Sequence, residues 1–438
     1  MPLFAPWKSC CNVETLRLQG LRQCAGRVDL PGSKSIANRA LLMAALCQQG
    51  QTTELRHMLR SDDTARMLEA LAALGVSMTE IDRTTLRIKG CQGHWPQHPQ
   101  SLYLGNAGTA MRPLTAVLAA TGPCPITLTG DSRMQERPIG DLVAALLAGG
   151  ATVDYQGING YPPLTITNCM QGGKVQVNGS ASSQYISALL MALPLLAQDT
   201  TLELVGDVVS WPYIQLTLSM LAAFGIVVEQ PQQQQFFIRG GQIYQSPQTY
   251  WIEGDASAAS YWLAAGVLGG GPLRIDGIGH KSIQGDIQFV DYLRQMGGQV
   301  VLHDEYAEVQ GGELVALDAD LNAIPDAAMT FATLALFAQG TTCIRNVANW
   351  RIKETDRLHA MATELRKTGA QVEEGADFIC ITPPQQLQHA RIATYDDHRM
   401  AMCFSLLGFS DAGVTIEDPA CCAKTYPDYF QEFNRLCR

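Results

Sequence analysis

Seven short segments of the chain combine basic or hydroxyl side chains with small residues, a combination suited to holding oxyanions. LPGSKSIANRA sets Lys34 and Arg39 five residues apart at the start of an apolar helix. An uncompensated charge beside a core is costly, so a plain surface role for these cations is unattractive. LGNAGTAMRP supplies Gly105 and Gly108, which let a backbone approach a ligand closely, and then Arg112. DSRMQERPIGDL places Arg133 and Arg137 four apart around Glu136, a spacing that equally suits a structural salt bridge. NGSASSQYISALL offers Ser182, Ser183 and Gln184, uncharged donors suited to phosphate or hydroxyl oxygens. NWRIKETDRLHAM concentrates Lys353, Glu354, Asp356 and Arg357; Lys353 and Arg357 share a face if a helix starts here. Arg351 with Glu354 reads as plain surface pairing, which is worth little. YDDHRMAMCF puts His398 and Arg399 directly before an apolar helix, and DPACCAKTYPDYF puts Lys424 in a loop between two short elements.

The chemistry is bounded by what these segments lack. The phosphate-loop pattern Gly-x4-Gly-Lys-Ser/Thr fails, because Ser33 separates Gly32 from Lys34 and Gly26 is misplaced. No His-Glu-x-x-His, Cys/His cluster, dinucleotide glycine fingerprint or Gly-x-Ser-x-Gly elbow occurs. What remains is chemistry on small anions without a cofactor or a metal. A formal charge of −10 repels nucleic acid and anionic membranes, so an anionic ligand must be held by a local cluster of Lys and Arg. The 13 cysteines are scattered without a Cys-x-x-Cys, and the vicinal pairs Cys10-Cys11 and Cys421-Cys422 are poor disulfide partners. They are expected to be reduced thiols that pack as small hydrophobes. Residues 1–12 show neither the apolar run of a signal peptide nor the Arg/Ser richness of a transit peptide. The uncharged stretches 256–273 and 327–344 contain Gly and Ser or Thr and read as buried helices rather than membrane spans. A soluble, cytoplasmic protein is expected.

The elements that position these segments recur with a period. An apolar helical stripe closed by glycine and followed by a strand-like run appears five times, ending at Gly75, Gly150, Gly225, Gly297 and Gly369. The spacings are 75, 75, 72 and 72 residues, and each glycine stands where a helix C-cap tolerates the left-handed conformation. Six small-residue helices share the period, starting near Gly32, Asn106, Gly179, Gly254, Pro325 and Asp396. Their Ala- and Gly-rich bodies predict helices buried on most sides. The last unit has a helix over 428–436 and no strand after it, whereas 15–30 reads as strand, so the missing strands are expected from the other terminus. Six βα-rich units in two lobes of three follow; a solenoid of the same repeats is the competing arrangement, disfavoured because atypical capping repeats are absent. Each polar helix start exposes unpaired backbone N–H groups and is a ready anion site. Ordinary N-capping explains any one of them alone; six together, several carrying basic side chains, point to function.

The motifs PGSKSxxNRALLxAAL, LGNAGTAMRPL, RMxERPI, GSxSSQ, EGDASxAS, IPDAAMT, NWRxKETDRL, DHRMAM and AKTxPDYF occur in one order across nearly the whole chain. In this the sequence resembles the EPSP synthase family of enolpyruvyl transferases. The resemblance implies an α/β fold, the two-lobe inverse α/β prism, each lobe three βαβαββ units around buried helices whose N-termini face a cleft. Lobe I would comprise 1–32 and 254–438, lobe II 33–253, with the active site between them. The implied reaction moves the enolpyruvyl group of phosphoenolpyruvate to the 5-hydroxyl of shikimate 3-phosphate through a tetrahedral intermediate, releasing phosphate.

Carried over position by position, Lys34, Ser35 and Arg39 would hold shikimate 3-phosphate, with Ser182, Ser183, Gln184, Ser210, Tyr213, Asp326, Asn349 and Lys353 completing that site. Phosphoenolpyruvate would be held by Lys34, Gly108, Arg137, Gln184, Arg357, Arg399 and Lys424, with Asn106, Thr109 and Arg112 shaping the loop. The implied catalytic set is Lys34, Asp255, Asp326, Glu354 and His398, with Glu354 delivering a proton to C3 and Asp326 or Lys34 serving the hydroxyl. A carboxyl acting as acid there needs desolvation to hold its proton. The sequence departs from the family pattern at Ala37, Gln135, Trp211 and Asp396; Trp211 bears on phosphate affinity and Asp396 on His398. Gly108 with Ala110 and Pro113 resembles the inhibitor-sensitive form, so glyphosate is expected to compete with phosphoenolpyruvate. Neither nucleic acid nor membrane is an expected partner, and with no long hydrophobic heptad a monomer is expected. A related transferase that acts on a UDP-amino sugar and an idle anion binder are the competing readings. The first typically uses a mobile-loop cysteine, where this chain has RMQERPI.

Overall fold

In a computed structural model the five repeat-closing glycines all adopt the left-handed backbone, with φ of 82° at Gly75, 92° at Gly150, 76° at Gly225, 102° at Gly297 and 90° at Gly369. The local rule that a glycine ends each of these helices therefore holds in every copy. The structure describes residues 14–438, and the tail 1–12 with Cys10 and Cys11 lies outside the described residues. Twelve α-helices follow in chain order among them: α1 Lys34–Leu46, α2 Asp62–Ala73, α3 Gly108–Thr121, α4 Gly140–Ala148, α5 Ser183–Ala192, α6 Trp211–Ala223, α7 Ala256–Leu268, α8 Phe289–Gln295, α9 Pro325–Leu334, α10 Arg357–Arg366, α11 His398–Ser405 and α12 Tyr429–Leu436.

The odd-numbered helices are the small-residue ones, and nearly every residue of each is buried. Small side chains make that possible: a Cβ on Gly266 of α7 would lie 2.3 Å from Val309 Cγ1 of the strand packed against it. The even-numbered helices bury one face. In α2 the buried residues are Asp63, Thr64, Met67, Leu68, Ala70 and Leu71, an amphipathic spacing.

Five of the six sheets share one topology. Strand Ser101–Tyr103 runs parallel to Ile126–Thr129, which pairs antiparallel with Leu164–Asn168, itself antiparallel to Thr152–Tyr155. With α3 and α4 this is one βαβαββ unit, and the sheets spanning 173–238 and 318–382 repeat it. Two further sheets borrow their first strand from afar: Thr249–Trp251 joins Thr52–Arg56, and Cys24–Asp29 joins Gly270–Asp276. The sixth has three strands, Ala390–Ile392 parallel to Val414–Glu417 and Thr15–Leu18 antiparallel to the latter. Thr15–Leu18 is the strand that the C-terminal unit lacks.

The chain divides into two compact units, Ser33–Ile252 and the remainder, which combines the described residues up to Gly32 with Glu253–Arg438. One finding corrects the expectation of reduced thiols: Cys343 and Cys380 form a disulfide. They stand opposite each other on adjacent antiparallel strands, a consequence of sheet register that a separation of 37 residues does not announce. No described helix is long and apolar enough to cross a membrane.

Candidate active site

In the unit Ser33–Ile252, the starts of α1, α3 and α5 are tied together by polar bonds. Lys34 opens α1, and its Nζ lies 3.1 Å from Oδ2 of Asp63, a buried carboxylate in the first turn of α2. That turn is fixed locally by a capping box in which the Ser61 side chain accepts from Thr64 N–H and the Thr64 hydroxyl from Ser61 N–H. Asn38 Nδ2 donates to Thr109 Oγ1 at 2.7 Å, linking α1 to α3.

Arg39 is buried, and its guanidinium donates to Thr217 Oγ1 at 2.9 Å, Ser35 O at 2.9 Å and Ser187 Oγ at 3.3 Å. None of these partners is a carboxylate. Burial pulls its pKa down to about 10, partly offset by the nearby Tyr213. Arg137 is a second buried cation without a carboxylate; its Nη1 donates to Asn106 O at 3.1 Å and Asn106 Oδ1 at 2.8 Å. Arg112 donates to Pro138 O at 3.0 Å, and the Tyr185 hydroxyl donates to the same carbonyl at 2.7 Å. Gly108, the first residue of α3, lies under both arginines. A Cβ there would be 2.6 Å from Arg112 Nη1 and 2.9 Å from Arg137 Nη2. Arg133 takes the structural alternative and pairs with Glu136 at 2.8 Å.

Ser182 caps α5 by accepting from Gln184 N–H at 3.2 Å, and Ser183 is the first residue of that helix. Ser210 stands at the N-cap position of α6 in the left-handed region, φ 55°, unusual for a residue with a side chain. Trp211 stacks on Phe236 at 6.4 Å between ring centroids, which accounts for the aromatic residue beside Ser210.

In the other unit the cations are compensated. Arg357, the first residue of α10, is 1% exposed and meets three carboxylates: Asp397 (Nε–Oδ2 2.7 Å), Asp326 (Nη1–Oδ1 3.0 Å) and Glu354 (Nη2–Oε2 2.8 Å). Asp326 also receives Arg399 Nη2 at 2.9 Å and Lys353 Nζ at 3.5 Å. Three carboxylates thus face three cations. Burial alone would raise the Asp326 carboxyl, but Arg399, Lys353 and Arg357 outweigh it and hold the group well below the usual carboxylate range. Burial works against the Arg357 charge, and Asp397, Glu354 and Asp326 more than offset it.

The elements explain the convergence. Trp350 Nε1 donates to Pro325 O at 2.7 Å, pinning the turn 348–352 with Asn349, and Lys353 after it, against the start of α9. The Asp397 side chain caps α11 by accepting from Arg399 N–H at 3.0 Å. Arg399 Nη1 donates to the Tyr261 hydroxyl at 3.1 Å, tying α11 to α7. Lys424 ends the short helix Pro419–Lys424, whose Cys422 Sγ approaches His398 O at 3.9 Å. His398 is fully buried with Nδ1 3.6 Å from Asp397 Oδ1. Asp255 caps α7 through Ala258 N–H at 2.9 Å.

The residues singled out in the sequence thus gather in two sets, one on each unit. Two readings are corrected. Lys353 and Arg357 do not share a helix face, because Lys353 precedes α10; both reach Asp326 through tertiary packing. Arg351 pairs with Asp356 at 2.8 Å rather than with Glu354. Asp63, Asp397 and Tyr261 are functional neighbours that sequence reasoning missed. The pairs Asp62-Asp63 and Asp396-Asp397 beside basic motifs carried the only sign, and in the second the partner is Asp397 rather than Asp396.

Residues 18–433 match the family model described as EPSP synthase (3-phosphoshikimate 1-carboxyvinyltransferase). A curated 3-phosphoshikimate 1-carboxyvinyltransferase of Idiomarina loihiensis is 58% identical over 429 residues, 97% of this chain and 99% of that protein. One of Yersinia pestis is 57% identical over 426 residues, with the same coverage of 97% and 99%. Among solved structures, an EPSP synthase from Acinetobacter baumannii superposes with a TM-score of 0.81 at 24% identity, covering 96% of this chain and 98% of that one. The enolpyruvyl transferase NikO from Streptomyces tendae gives 0.76 at 18% identity, covering 97% and 98%. At these identities the structures speak to the fold alone.

Proposed function

Because the chain belongs to the EPSP synthase family, and so transfers the enolpyruvyl group of phosphoenolpyruvate to shikimate 3-phosphate in the shikimate pathway, we propose that its two residue sets divide the chemistry by their state of charge compensation. The observation that carries this is the contrast between Arg39 and Arg137, buried without a carboxylate, and Arg357, shared by three. A buried cation lacking an acid is a standing site for a substrate anion. Arg39 with Ser35, Ser182, Ser183, Gln184, Ser210 and Tyr213 serves shikimate 3-phosphate, joined by Asn349 and Lys353. Arg137 with Lys34, Gly108 and Gln184 serves phosphoenolpyruvate, joined by Arg357, Arg399 and Lys424, while Asn106, Thr109 and Arg112 shape the loop.

The proton inventory follows from the compensated set. Asp326, held ionised by three cations, is the base that takes the proton of the 5-hydroxyl as its oxygen bonds to C2 of phosphoenolpyruvate. A substrate anion arriving beside Arg357 disfavours a neighbouring carboxylate's charge, so a proton comes in with it. Glu354, which meets Arg357 Nη2 at 2.8 Å, is where that proton rests. It passes to C3, closing the tetrahedral intermediate. Breaking the C2–O bond to phosphate and returning a C3 proton to Glu354 then yields the enolpyruvyl ether. The arginines and Lys424 stabilise the charge that grows on the departing phosphate. Lys34 is oriented by its ion pair with Asp63. Asp255 and His398 order the starts of α7 and α11.

The same reading includes glyphosate as a competitor of phosphoenolpyruvate, a monomeric state and a cytoplasmic location. Phosphate release is the test: phosphoenolpyruvate with shikimate 3-phosphate in one reaction and with UDP-N-acetylglucosamine in another, in metal-free buffer. Release only with the shikimate ester supports the assignment. Release only with the sugar nucleotide overturns the acceptor, and silence with both from folded protein overturns the function.

A further inference from the structure

One buried carboxylate outside the residues assigned to substrates grips the segment that carries Arg399. Glu364 of α10 is fully buried. Its Oε1 accepts from the Tyr395 hydroxyl at 2.8 Å, and its Oε2 accepts from Ala393 N–H at 3.1 Å and Lys367 Nζ at 2.6 Å. Lys367 Nζ also donates to Arg391 O at 3.1 Å, so the end of the preceding strand is held by the same group.

The segment held in this way is strained. Tyr395 and Asp396 follow one another at φ 56° and 54°, both in the left-handed region although neither is glycine. Such a pair persists only where its surroundings over-determine it, and strain of this kind collects near functional sites. Directly after the turn, Asp397 N–H donates to Thr394 O at 2.9 Å, and the Asp397 carboxylate takes Arg357 Nε at 2.7 Å.

Arg357 and Glu364 are seven residues apart on α10, two turns, and so lie on one face of the helix. A single rigid element therefore holds both ends of the turn, Glu364 where it begins and Arg357 where it ends. We infer that Glu364 and Tyr395 are positioning residues for phosphoenolpyruvate recognition, holding the strained turn that sets Asp397 and Arg399 against Arg357 and Asp326. This rests on the reading that Arg399 binds phosphoenolpyruvate. Burial, and then the Glu364 carboxylate, pushes the Tyr395 hydroxyl up to about 12, so it remains a donor at working pH. The partners of Glu364, which are Lys367, Ala393 and Tyr395, lie outside the charged cluster, so its influence passes through the backbone of 393–397.

Without the hydroxyl, the turn relaxes toward ordinary backbone and carries Arg399 with it. The effect falls chiefly on one substrate: of the residues assigned to shikimate 3-phosphate, Ser182, Ser183 and Tyr213 belong to the other unit, and Asn349 and Lys353, although on this one, are carried by the segment 348–353 rather than by the turn 393–397. The test is steady-state kinetics of full-length Tyr395→Phe, Glu364→Gln and Arg399→Lys proteins with each substrate varied. Tyr395→Phe is expected to raise KM for phosphoenolpyruvate roughly five- to tenfold, the scale of one charge-assisted hydrogen bond partly lost. KM for shikimate 3-phosphate stays within about twofold. Glu364→Gln keeps an acceptor for the hydroxyl but loses the charge facing Lys367, and is expected to move the same constant in the same direction. Equal rises in both KM values, or a fall in kcat with KM for phosphoenolpyruvate unchanged, overturn the inference. Arg399→Lys tests the premise. If it raises that KM while the other two variants do not, the site reading stands and the positioning role is wrong; if it does not, both fall. Tyr395 is 40% exposed, so its loss of one hydroxyl leaves a folded protein even where Glu364→Gln does not.

Discussion

Replacing Gly108 by alanine tests the proposed assignment of this residue to phosphoenolpyruvate. The backbone at Gly108 does not require glycine, so any change in stability comes from displacing the two guanidiniums beneath it rather than from backbone strain. The added methyl, however, would lie 2.6 Å from Arg112 Nη1 and 2.9 Å from Arg137 Nη2, where ordinary contact begins near 3.4 Å. The nearer guanidinium must therefore withdraw by about 0.8 Å, and the site loses room equal to a methyl group. A displacement near 1 Å in a binding site costs on the order of 100-fold, and a charge-assisted hydrogen bond about 1.5–3 kcal/mol. KM for phosphoenolpyruvate is thus expected to rise roughly 10- to 100-fold. KM for shikimate 3-phosphate should move less than about threefold, because Arg39 and its partners are untouched. Steady-state kinetics with each substrate varied, beside a thermal melt, measures all three quantities. An unchanged KM for phosphoenolpyruvate, or equal rises in both constants, would refute the reasoning, since the clash is specific to Arg112 and Arg137. Glyphosate inhibition, read in the same assay, is expected to weaken with phosphoenolpyruvate binding.

Arg39→Met removes a buried cation that has no acid partner, so the unliganded protein is expected to melt at a higher temperature. The acceptor loses a charge-assisted contact, raising KM for shikimate 3-phosphate roughly 30- to 100-fold; a lower melting temperature would contradict the assignment. Asp326→Asn is expected to cut turnover about 10²- to 10⁴-fold, measured by single-turnover phosphate release, while phosphoenolpyruvate still binds. Because the folded carboxyl is held far below its unfolded value, its contribution to stability is fully present above about pH 4. The gap in melting temperature between wild type and this variant should stay constant from pH 8 to 5 and shrink only at more acid pH. Burial raises the thiols of Cys47 to about 11 and Cys403 to about 12, opposed in part by hydrogen bonds to Thr53 and Thr330. Both groups stay protonated longer in the fold than when unfolded, so the stability they lend is complete below about pH 9 and is lost as pH rises toward 11–12. Alkylation of the native protein at pH 8.5 followed by peptide mapping should leave both unmodified.

Much of this protein is decided within a few residues of chain. A glycine two or three positions past a helix end adopts the left-handed conformation because of its own lack of a side chain, and all five did so. Four of the six small-residue helices begin after a serine or aspartate (Ser33, Ser182, Asp255, Asp397) and α9 begins on Pro325, while α3 follows Ala107, since helix boundaries and the bulk of the helix body are largely local properties. Even the donation of Thr15–Leu18 to the last sheet was legible, as a strand missing at one end and spare at the other. The partners of the charged groups were not. Lys34 found Asp63 across 29 positions, Arg357 found Asp397 across 40, and Cys343 found Cys380 through the register of two strands. Coulomb attraction and hydrogen bonding act over a few ångströms of space, and nothing in the one-dimensional spacing of residues says which helix start will meet which acid. Hence the sequence alone determined where cations and donors would be offered. Only the tertiary structure decided that Arg357 meets three carboxylates while Arg39 and Arg137 meet none, the contrast on which the proposed division of roles rests.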